Sequence, residues 1–431
     1  MRETFVLTPE RLLRLYTRMP VPGERLGALV GNAFKLSPAS RERCDHLLPL
    51  FTPERWRHVT LWDLYQTHYR WAGAERWRQL VAPLLPDQMT EAGAALRAAD
   101  PPLRWGMVEA ACDSSRRLAA SHGPAALTLA RAAVAAAGTV PTNILGERCQ
   151  QELLALARAT VANAHRVLDQ LRPARTAMTR AQKHLERAHP PLLGLTPAVL
   201  GLRVSLEYWN RDFPHACATV AEALQFDSEP PLRGRLLINQ ARILIDLKRS
   251  ADALESLQEA IPLIHRDDEP RLWCCAVQNR LLVLSELGRL DEAESELRKV
   301  RAVMLADSGP LDELKIRWVE ARIAAGHGDS AAAEDLYRQV HGGFLTHGLP
   351  FRAAVVTLEW CRLLLAEGRL EEVKQRAMAT LAEFHRQQVE PEIISALALV
   401  EQAVLGQRLT EQILVRARNL LDRHTCSRKT G

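Results

Sequence analysis

The stretch ELGRLDEAESELRKV at residues 286–300 and the stretch AEGRLEEVKQRAMAT at residues 366–380 share a Gly-Arg-Leu turn followed by two acidic residues. Glycines recur with a spacing of forty residues, at Gly288, Gly328 and Gly368. A small apolar residue follows each of them by five positions, at Ala293, Ala333 and Val373. A fixed period of this length is the sequence signature of a repeat architecture.

The five-residue offset continues upstream without glycine, in the pairs Lys248 with Ala253, Arg211 with Ala216 and Arg172 with Ala177. Prolines mark the same period independently, at Pro190, Pro230, Pro270, Pro310 and Pro350. Aspartates precede three of these prolines, in DSEP (227–230), DDEP (267–270) and DSGP (307–310). Proline is favoured in the first turn of a helix, and a preceding aspartate can accept hydrogen bonds from the free N–H groups there. Glycine is favoured just after the C-terminus of a helix, where the backbone often adopts a left-handed conformation. Each unit is therefore predicted to consist of a first helix that begins at the proline, a tight turn, and a second helix.

The helices predicted between these markers are amphipathic. In LLINQARILIDL (236–247) and VQNRLLVLSEL (277–287) leucine and isoleucine recur at helical spacing. A single pair of such helices cannot bury its apolar face, whereas stacked pairs share one continuous core. The composition agrees, because 47% of the residues are hydrophobic and only 5% are aromatic.

The net charge of +5 is small for a chain with 56 basic and 51 acidic residues, and it does not by itself indicate a nucleic-acid partner. We find no signal-peptide pattern and no apolar run of about 18 residues, so no membrane association is expected. The 8 cysteines are scattered without paired spacing, as expected for thiols in a reducing compartment. A cytoplasmic location is therefore predicted.

The turn LGRLDEAESEL (287–297) resembles the middle of a tetratricopeptide repeat (TPR), and the likeness extends over residues 151–424 and more weakly over 105–140. The period is about 40 rather than about 34 residues, and the first-helix Trp and Gly–Tyr signature are missing. HEAT-like pairs are therefore the structural alternative. The resemblance implies an all-α, right-handed superhelical solenoid of antiparallel helix pairs, preceded by an N-terminal helical domain.

Four segments are expected along the chain. Residues 1–104 are predicted to form an N-terminal helical domain rich in Trp and Arg, and residues 105–150 a transitional helical pair. Residues 151–424 hold the TPR-like repeats, and residues 425–431 form a polar tail.

The N-terminal segment 54–78 interleaves aromatic and basic side chains. Its interface candidates are Trp56, Trp62, Trp71, Trp77 and Arg70. Such residues are favoured in protein interfaces, and they can also stack on bases and bind phosphates. A role in the core or as a cap of the solenoid is the preferred interpretation, because acidic residues interrupt the positive charge.

The TPR resemblance implies that the residue six positions before each turn residue lines a groove. These residues are Arg166, Ser205, Arg242, Leu282, Arg322 and Arg362. The arginines among them would form a basic column suited to carboxylates or phosphates. By the same reasoning Gln278, Lys315 and Trp318 complete the predicted groove. The competing interpretation is that each arginine pairs with an acidic residue of the next repeat.

No pattern of catalytic residues is recognisable. His184 and His189 are five residues apart, which does not place two ligands on one helical face, and the adjacent Cys274 and Cys275 diverge on a helix. No glycine-rich phosphate loop occurs. We therefore expect no enzymatic activity, no cofactor and no bound metal.

The leading functional hypothesis is a non-catalytic scaffold, adaptor or sensor subunit of a bacterial regulatory or defence complex. It would bind a protein or peptide partner, for which an acidic segment is one option, in the solenoid groove. The alternative is a nucleic-acid-binding helical-repeat regulator, and a third hypothesis is an enzyme subunit that requires another chain. These assignments rest on analogy at the level of the fold.

Overall fold

The computed structural model describes residues 61–82, 84–119, 121–140, 146–306, 309–386 and 412–418, together with residues 142 and 400. Throughout these residues the regular structure is helical and no strand is present, which confirms the predicted all-α class. No helix in this described part is both long and apolar enough to cross a membrane. Trp56 and the predicted polar tail lie outside the described residues.

Residues Met1–Leu206 form the first of two compact units. Its helices are α1 (Leu61–Val81), α2 (Met89–Ala98), α3 (Pro101–Leu118), α4 (Gly123–Gly138), α5 (Glu147–Val167) and α6 (Leu171–Ala188), and α7 (Thr196–Trp209) runs across its boundary. A 3₁₀ turn, Pro86–Gln88, precedes α2. The core of this unit is rich in alanine, with Trp105 among its largest fully buried side chains.

Residues Glu207–Gly431 form the second unit. Its helices are α8 (Phe213–Leu224), α9 (Pro230–Asp246), α10 (Ser250–Ala260), α11 (Pro270–Glu286), α12 (Leu290–Ala306), α13 (Pro310–Gly326), α14 (Ser330–Thr346), α15 (Pro350–Ala366) and α16 (Leu370–Arg386). A 3₁₀ turn, Ile261–Leu263, follows α10, and residues 412–418 are helical. Each odd-numbered helix from α9 packs against its even-numbered successor, and these pairs stack in chain order.

The markers read from the sequence hold throughout the second unit. Four first helices begin at a predicted proline: Pro230, Pro270, Pro310 and Pro350. The turn glycines are left-handed, with φ of 71° at Gly288, 81° at Gly328 and 72° at Gly368. The small residues five positions later are fully buried where the helices cross: Ala216, Ala253, Ala293, Ala333 and Val373. The predicted helical-repeat architecture is confirmed.

One detail of the predicted unit is wrong. Pro190 does not begin a helix, because α7 starts at Thr196. The N-cap residues of α9, α11 and α13 are Glu229, Glu269 and Gly309, and none of these three forms a side-chain cap bond, while the capping role of the preceding aspartates stays a prediction. The Glu269 carboxylate forms an ion pair with Arg235 of α9 at 2.8 Å, so it links α9 to the start of α11.

The register predicted for the unit of α5 and α6 is also wrong, by three residues. Helix α5 ends at Val167, and the left-handed residue of the following turn is Asp169, with φ of 57°. Arg211 and Lys248 are the equivalent residues of the next two turns, with φ of 59° and 60°. Arg172, which was predicted to be this turn residue, lies inside α6. Without a glycine at this turn, the local signal that would have fixed the register was missing.

Two of the predicted segment limits fall inside helices. The limit at 104/105 lies within α3 and the limit at 150/151 within α5, and both helices are continuous across them. Compactness instead divides the described chain between Leu206 and Glu207. The N-terminal domain and the transitional pair remain predictions, and the limit of the tail lies outside the described residues.

Candidate functional site

Arg322, predicted to line the groove, lies at the centre of an ion-pair network between repeats. Its guanidinium on α13 contacts Glu286 on α11 at 3.6 Å and is hydrogen-bonded to Glu359 on α15, with Nε to Oε2 at 2.9 Å. The Arg322 side chain is only 14% exposed. A buried arginine held by two carboxylates joins consecutive repeats, so for Arg322 the inter-repeat pairing is the observed arrangement.

The carboxylate of Glu359 stays ionised because of these neighbours. Burial alone would raise its pKa, but the charge and hydrogen bonds of Arg322 outweigh that effect. Arg418, at 3.7 Å, and the indole N–H of Trp318 lower the pKa further. The net result is a pKa of Glu359 below its ordinary value. The cluster therefore carries fixed charges that are largely compensated from within.

Trp318 contributes to this network and to the core beneath it. Its Nε1 donates to Glu359 Oε2 at 2.7 Å, and the Arg322 guanidinium lies 4.9 Å from the centre of its ring. The ring also meets Phe344 edge-on, with centroids 5.8 Å apart. Because the ring is only partly buried, one part of it stays available on the surface of α13.

Lys315 and Gln278 meet at Asp312, at the start of α13. Lys315 Nζ contacts Asp312 Oδ1 at 2.6 Å, and Gln278 Nε2 donates to the Asp312 backbone carbonyl at 3.4 Å. Gln278 is buried, with 8% of its surface exposed, so it offers little to a partner. Lys315 is half-buried, and its charge is offset locally by Asp312. Of the two, Lys315 is the better placed for contact with a ligand.

Arg242 on α9 has a different environment. Its guanidinium carbon lies 4.4 Å from the centre of the Tyr208 ring, a cation–π arrangement. Burial raises the pKa of Tyr208 to about 12 against the opposing charge of Arg242, so the phenol is neutral at physiological pH. Arg242 therefore faces a neutral aromatic ring.

A second arginine, Arg352 on α15, shares this neighbourhood. Its guanidinium carbon lies 5.8 Å from the centre of the Phe344 ring. Burial lowers its pKa, and the positive charge of Arg242 lowers it further, while Tyr208 and Asp312 oppose this shift. Helices α9 and α15 belong to units three repeats apart, so the fold brings together two cations that are distant in sequence.

Neither Arg242 nor Arg352 forms an ion pair with a carboxylate among the residues that the structure describes. Both are half-buried, and each is held by an aromatic ring. The two guanidiniums repel each other, and Asp246 and Asp312 offset that repulsion in part without forming an ion pair with Arg242 or Arg352. An incoming carboxylate would relieve that repulsion, and it could accept bidentate hydrogen bonds. We call Arg242, Arg352 and Tyr208 the arginine pair site.

The other predicted groove residues have different positions. Arg166 does not belong to the column, because the corrected register places Asn163 there, and Arg166 Nη2 donates to Asn163 Oδ1 at 2.9 Å. Arg362 is exposed on α15. The predicted column of four arginines is thus reduced to Arg242, Arg322 and Arg362, which have three different environments.

Among the N-terminal candidates, Trp77 lies in the core of the first unit. It is 3% exposed, and its Nε1 donates to Ser114 Oγ at 2.9 Å, which leaves little of the ring for a partner. Arg70 Nε pairs with Glu109 Oε1 at 3.0 Å, and its guanidinium lies over the Trp105 ring. The side chains of Trp62 and Trp71 lie outside the described residues. Of the N-terminal candidates, Trp77 and Arg70 thus pack against other residues of the first unit.

Sequence reasoning missed Arg352, Tyr208 and Glu359. Arg352 follows Pro350 by two residues, as Asp312 follows Pro310, so both residues occupy the same position in their repeats. The preceding units carry Leu232 and Leu272 there, so this position shows no recurring charge in the sequence. In the described residues, no group of three or more His, Cys, Asp or Glu side chains is placed to hold a metal ion.

Comparison of folds places the chain among TPR-containing structures. The Rap protein complexed with Competence and Sporulation Factor matches with a TM-score of 0.55 at 14% identity, covering 74% of this chain and 87% of that chain. A STAND signal-transduction ATPase with a tetratricopeptide repeat sensor, from Pyrococcus horikoshii, matches with a TM-score of 0.51 at 12% identity. That match covers 96% of this chain and 62% of the ATPase chain. No family model and no curated protein sequence matches this chain.

These likenesses concern the fold. Together with the helix pairs and left-handed turns described above, they show that the chain is a TPR-like, all-α helical-repeat solenoid. Identities of 14% and 12% establish a common architecture only.

Proposed function

We propose that this protein is a non-catalytic recognition subunit that binds a protein or peptide segment through its second unit. The arginine pair site captures a carboxylate of that segment, either an acidic side chain or a C-terminus. Lys315, Arg362 and the accessible part of Trp318 extend the contact along the first helices of the repeats. The observation that carries the proposal is that Arg242 and Arg352 repel each other while neither forms an ion pair with a carboxylate of the described residues.

Physical reasoning and one precedent support this proposal. Arginine is the side chain best suited to bidentate recognition of carboxylates, and rings that hold both guanidiniums reduce the entropy lost on binding. The Rap protein, which shares the fold, was solved as a complex with Competence and Sporulation Factor. A role in a bacterial regulatory or defence assembly, in the cytoplasm, is part of the same proposal.

The test is a pull-down with the tagged full-length chain from native lysate, divided into nuclease-treated and untreated halves. The wild type is compared with the double variant Arg242→Gln/Arg352→Gln and with a control, Arg298→Gln/Lys299→Gln, on the exposed face of α12. We expect a stoichiometric protein partner that survives nuclease, binds the control and is lost from the arginine-pair variant. Circular dichroism and the melting temperature of each variant verify folding.

Three outcomes would overturn the proposal. A partner that the arginine-pair variant retains would place recognition elsewhere. Recovery of nucleic acid alone, or loss of the partner on nuclease treatment, would favour the nucleic-acid-binding regulator instead.

Once a partner segment is known, neutralising its acidic residues or amidating its C-terminus should weaken binding about tenfold or more, since one charge-assisted contact is lost.

A further inference from the structure

The first unit contains a cavity lined by four arginines. It lies between α4, α5 and α6, has a volume of about 520 Å³, and is lined by Arg131, Arg158, Arg172 and Arg180. All of its lining residues are described by the structure, and none of them is acidic. Its volume lies within the range of about 300–1,000 Å³ that is usual for small-molecule sites.

The four arginines are not engaged with other side chains of the described chain. None of them forms an ion pair or a side-chain hydrogen bond with a described residue. Arg131, Arg172 and Arg180 are exposed, whereas Arg158 is half-buried. The Nε of Arg158 is shielded from solvent and has no acceptor among the described residues, which is costly for a charged donor. An acceptor delivered by a ligand would remove that cost.

The electrostatic environment of Arg158 also favours binding of an anion. Burial lowers the pKa of Arg158, and the positive charge of Arg180 lowers it further. The cavity therefore holds like charges close together without compensation from its own lining. Two polar groups complete the lining: His165, whose Nδ1 is bound to Gln170 Oε1 at 2.6 Å, and Thr176.

We propose that this cavity binds a small molecule carrying two or more phosphate groups. Four guanidiniums around one cavity exceed what a single carboxylate requires, and their planar forks match phosphate oxygens bidentately. A pocket of this size suits a compact ligand, whereas single-stranded nucleic acid is usually bound along an extended groove with stacking aromatic rings. The lining contains no aromatic ring besides His165. This site is separate from the arginine pair site of the second unit.

Calorimetric titration of the full-length chain with inorganic pyrophosphate and with ATP tests the proposal. We expect saturable binding of at least one of the two probes, weakening as salt rises because the contacts are ionic. Arg158→Gln should weaken that binding about tenfold or more. The control Arg175→Gln removes an exposed arginine of the same helix α6 that does not line the cavity, and should change the dissociation constant less than about twofold.

Folding of the variants is verified by their melting temperatures. Arg158→Gln should not lower the melting temperature, since Arg158 makes no ion pair with a described residue. If that variant does not fold, Arg172→Gln/Arg180→Gln serves in its place, because both side chains are exposed. Tighter binding of ATP than of pyrophosphate would support the proposal and indicate that the nucleoside is also recognised. Equal binding of both would support recognition through phosphate alone.

The proposal would be overturned by absence of binding at millimolar pyrophosphate and ATP in low salt. Equal weakening by Arg158→Gln and Arg175→Gln would also overturn it, because the effect would then reflect overall charge. Tighter binding of a single-stranded oligonucleotide than of either probe, unaffected by Arg158→Gln, would assign the basic surface to nucleic acid instead.

Discussion

Arg322 on α13 and Glu359 on α15 are joined across two consecutive repeats, with Arg322 Nε donating to Glu359 Oε2 at 2.9 Å. The same oxygen accepts the indole N–H of Trp318 at 2.7 Å. Contacts between neighbouring repeats determine how far a repeat array unfolds as one body. This pair therefore contributes to the cooperativity of the second unit as well as to its stability.

Replacing Arg322 with Met should destabilise the second unit strongly. Removing one partner of a buried ion pair leaves an uncompensated charge and costs about 3–5 kcal/mol. We expect the melting temperature to fall by roughly 6 °C or more, as followed by circular dichroism. Arg298→Ala removes an arginine whose side chain is 72% exposed and pairs with Glu294, so it should have almost no effect. Similar losses in both variants would contradict a structural role for Arg322.

Stability at acidic pH should depend on Glu359. Its pKa in the folded protein is depressed, so its ionised form stabilises the fold above the unfolded value of about 4.3. That contribution is lost as pH falls through the folded pKa. The melting temperature of the wild type should therefore fall more steeply between about pH 5 and pH 3 than that of Glu359→Gln. The exposed control Glu371→Gln should keep the slope of the wild type, and a slope unchanged by Glu359→Gln would refute this assignment.

The left-handed turns predict opposite effects at equivalent positions of two repeats. Lys248 has φ of 60°, a conformation that costs an L-residue roughly 1–2 kcal/mol, so Lys248→Gly should raise the free energy of unfolding by about 0.5–1 kcal/mol. Gly288 has φ of 71°, and Gly288→Ala should lower it by about 1 kcal/mol. No atom lies within 4 Å of a Cβ built at Gly288, so the effect is conformational. Urea denaturation measures both, and changes of the same sign would be inconsistent with this explanation.

Gly73 marks a close approach between α1 and α3. A Cβ built there would lie 2.6 Å from the Leu103 carbonyl oxygen and 2.6 Å from the Met107 nitrogen, both of which are backbone atoms. Gly73→Ala should therefore destabilise the first unit by about 1–3 kcal/mol, because the helices must separate. The control Gly138→Ala, at the end of α4, meets no atom within 4 Å and should be neutral or slightly stabilising. Thermal denaturation compares the two, and equal losses would argue against this close approach.

The sequence was most informative where its signals are local. Pro230 and Gly288 act through the geometry of a single residue, so their recurrence predicted where helices begin and where chains turn. The register was wrong at Asp169, because an aspartate in the left-handed region leaves no mark as clear as glycine. The N-cap residues of three first helices are a glutamate or a glycine, so the spacing of the aspartates did not identify the N-cap position.

The candidate sites needed the tertiary structure. Arg242, Arg322 and Arg362 occupy the same position in their repeats, and nothing local separates them. Arg322 meets Glu286 and Glu359, whereas Arg242 meets an aromatic ring and lies near Arg352. Whether a cation is compensated depends on carboxylates that arrive from other repeats, and repeat spacing does not specify which ones.

The sequence by itself determined the helical repeat, because periodic proline, glycine and apolar residues act within a few residues of one another. The tertiary structure decided which charges form ion pairs inside the protein and which form none with a described residue. That difference arises because electrostatic interactions act through space. In the second unit Arg322 of α13 pairs with Glu359 of α15, and in the first unit Arg180 of α6 acts on Arg158 of α5, across distances in sequence that no local pattern records.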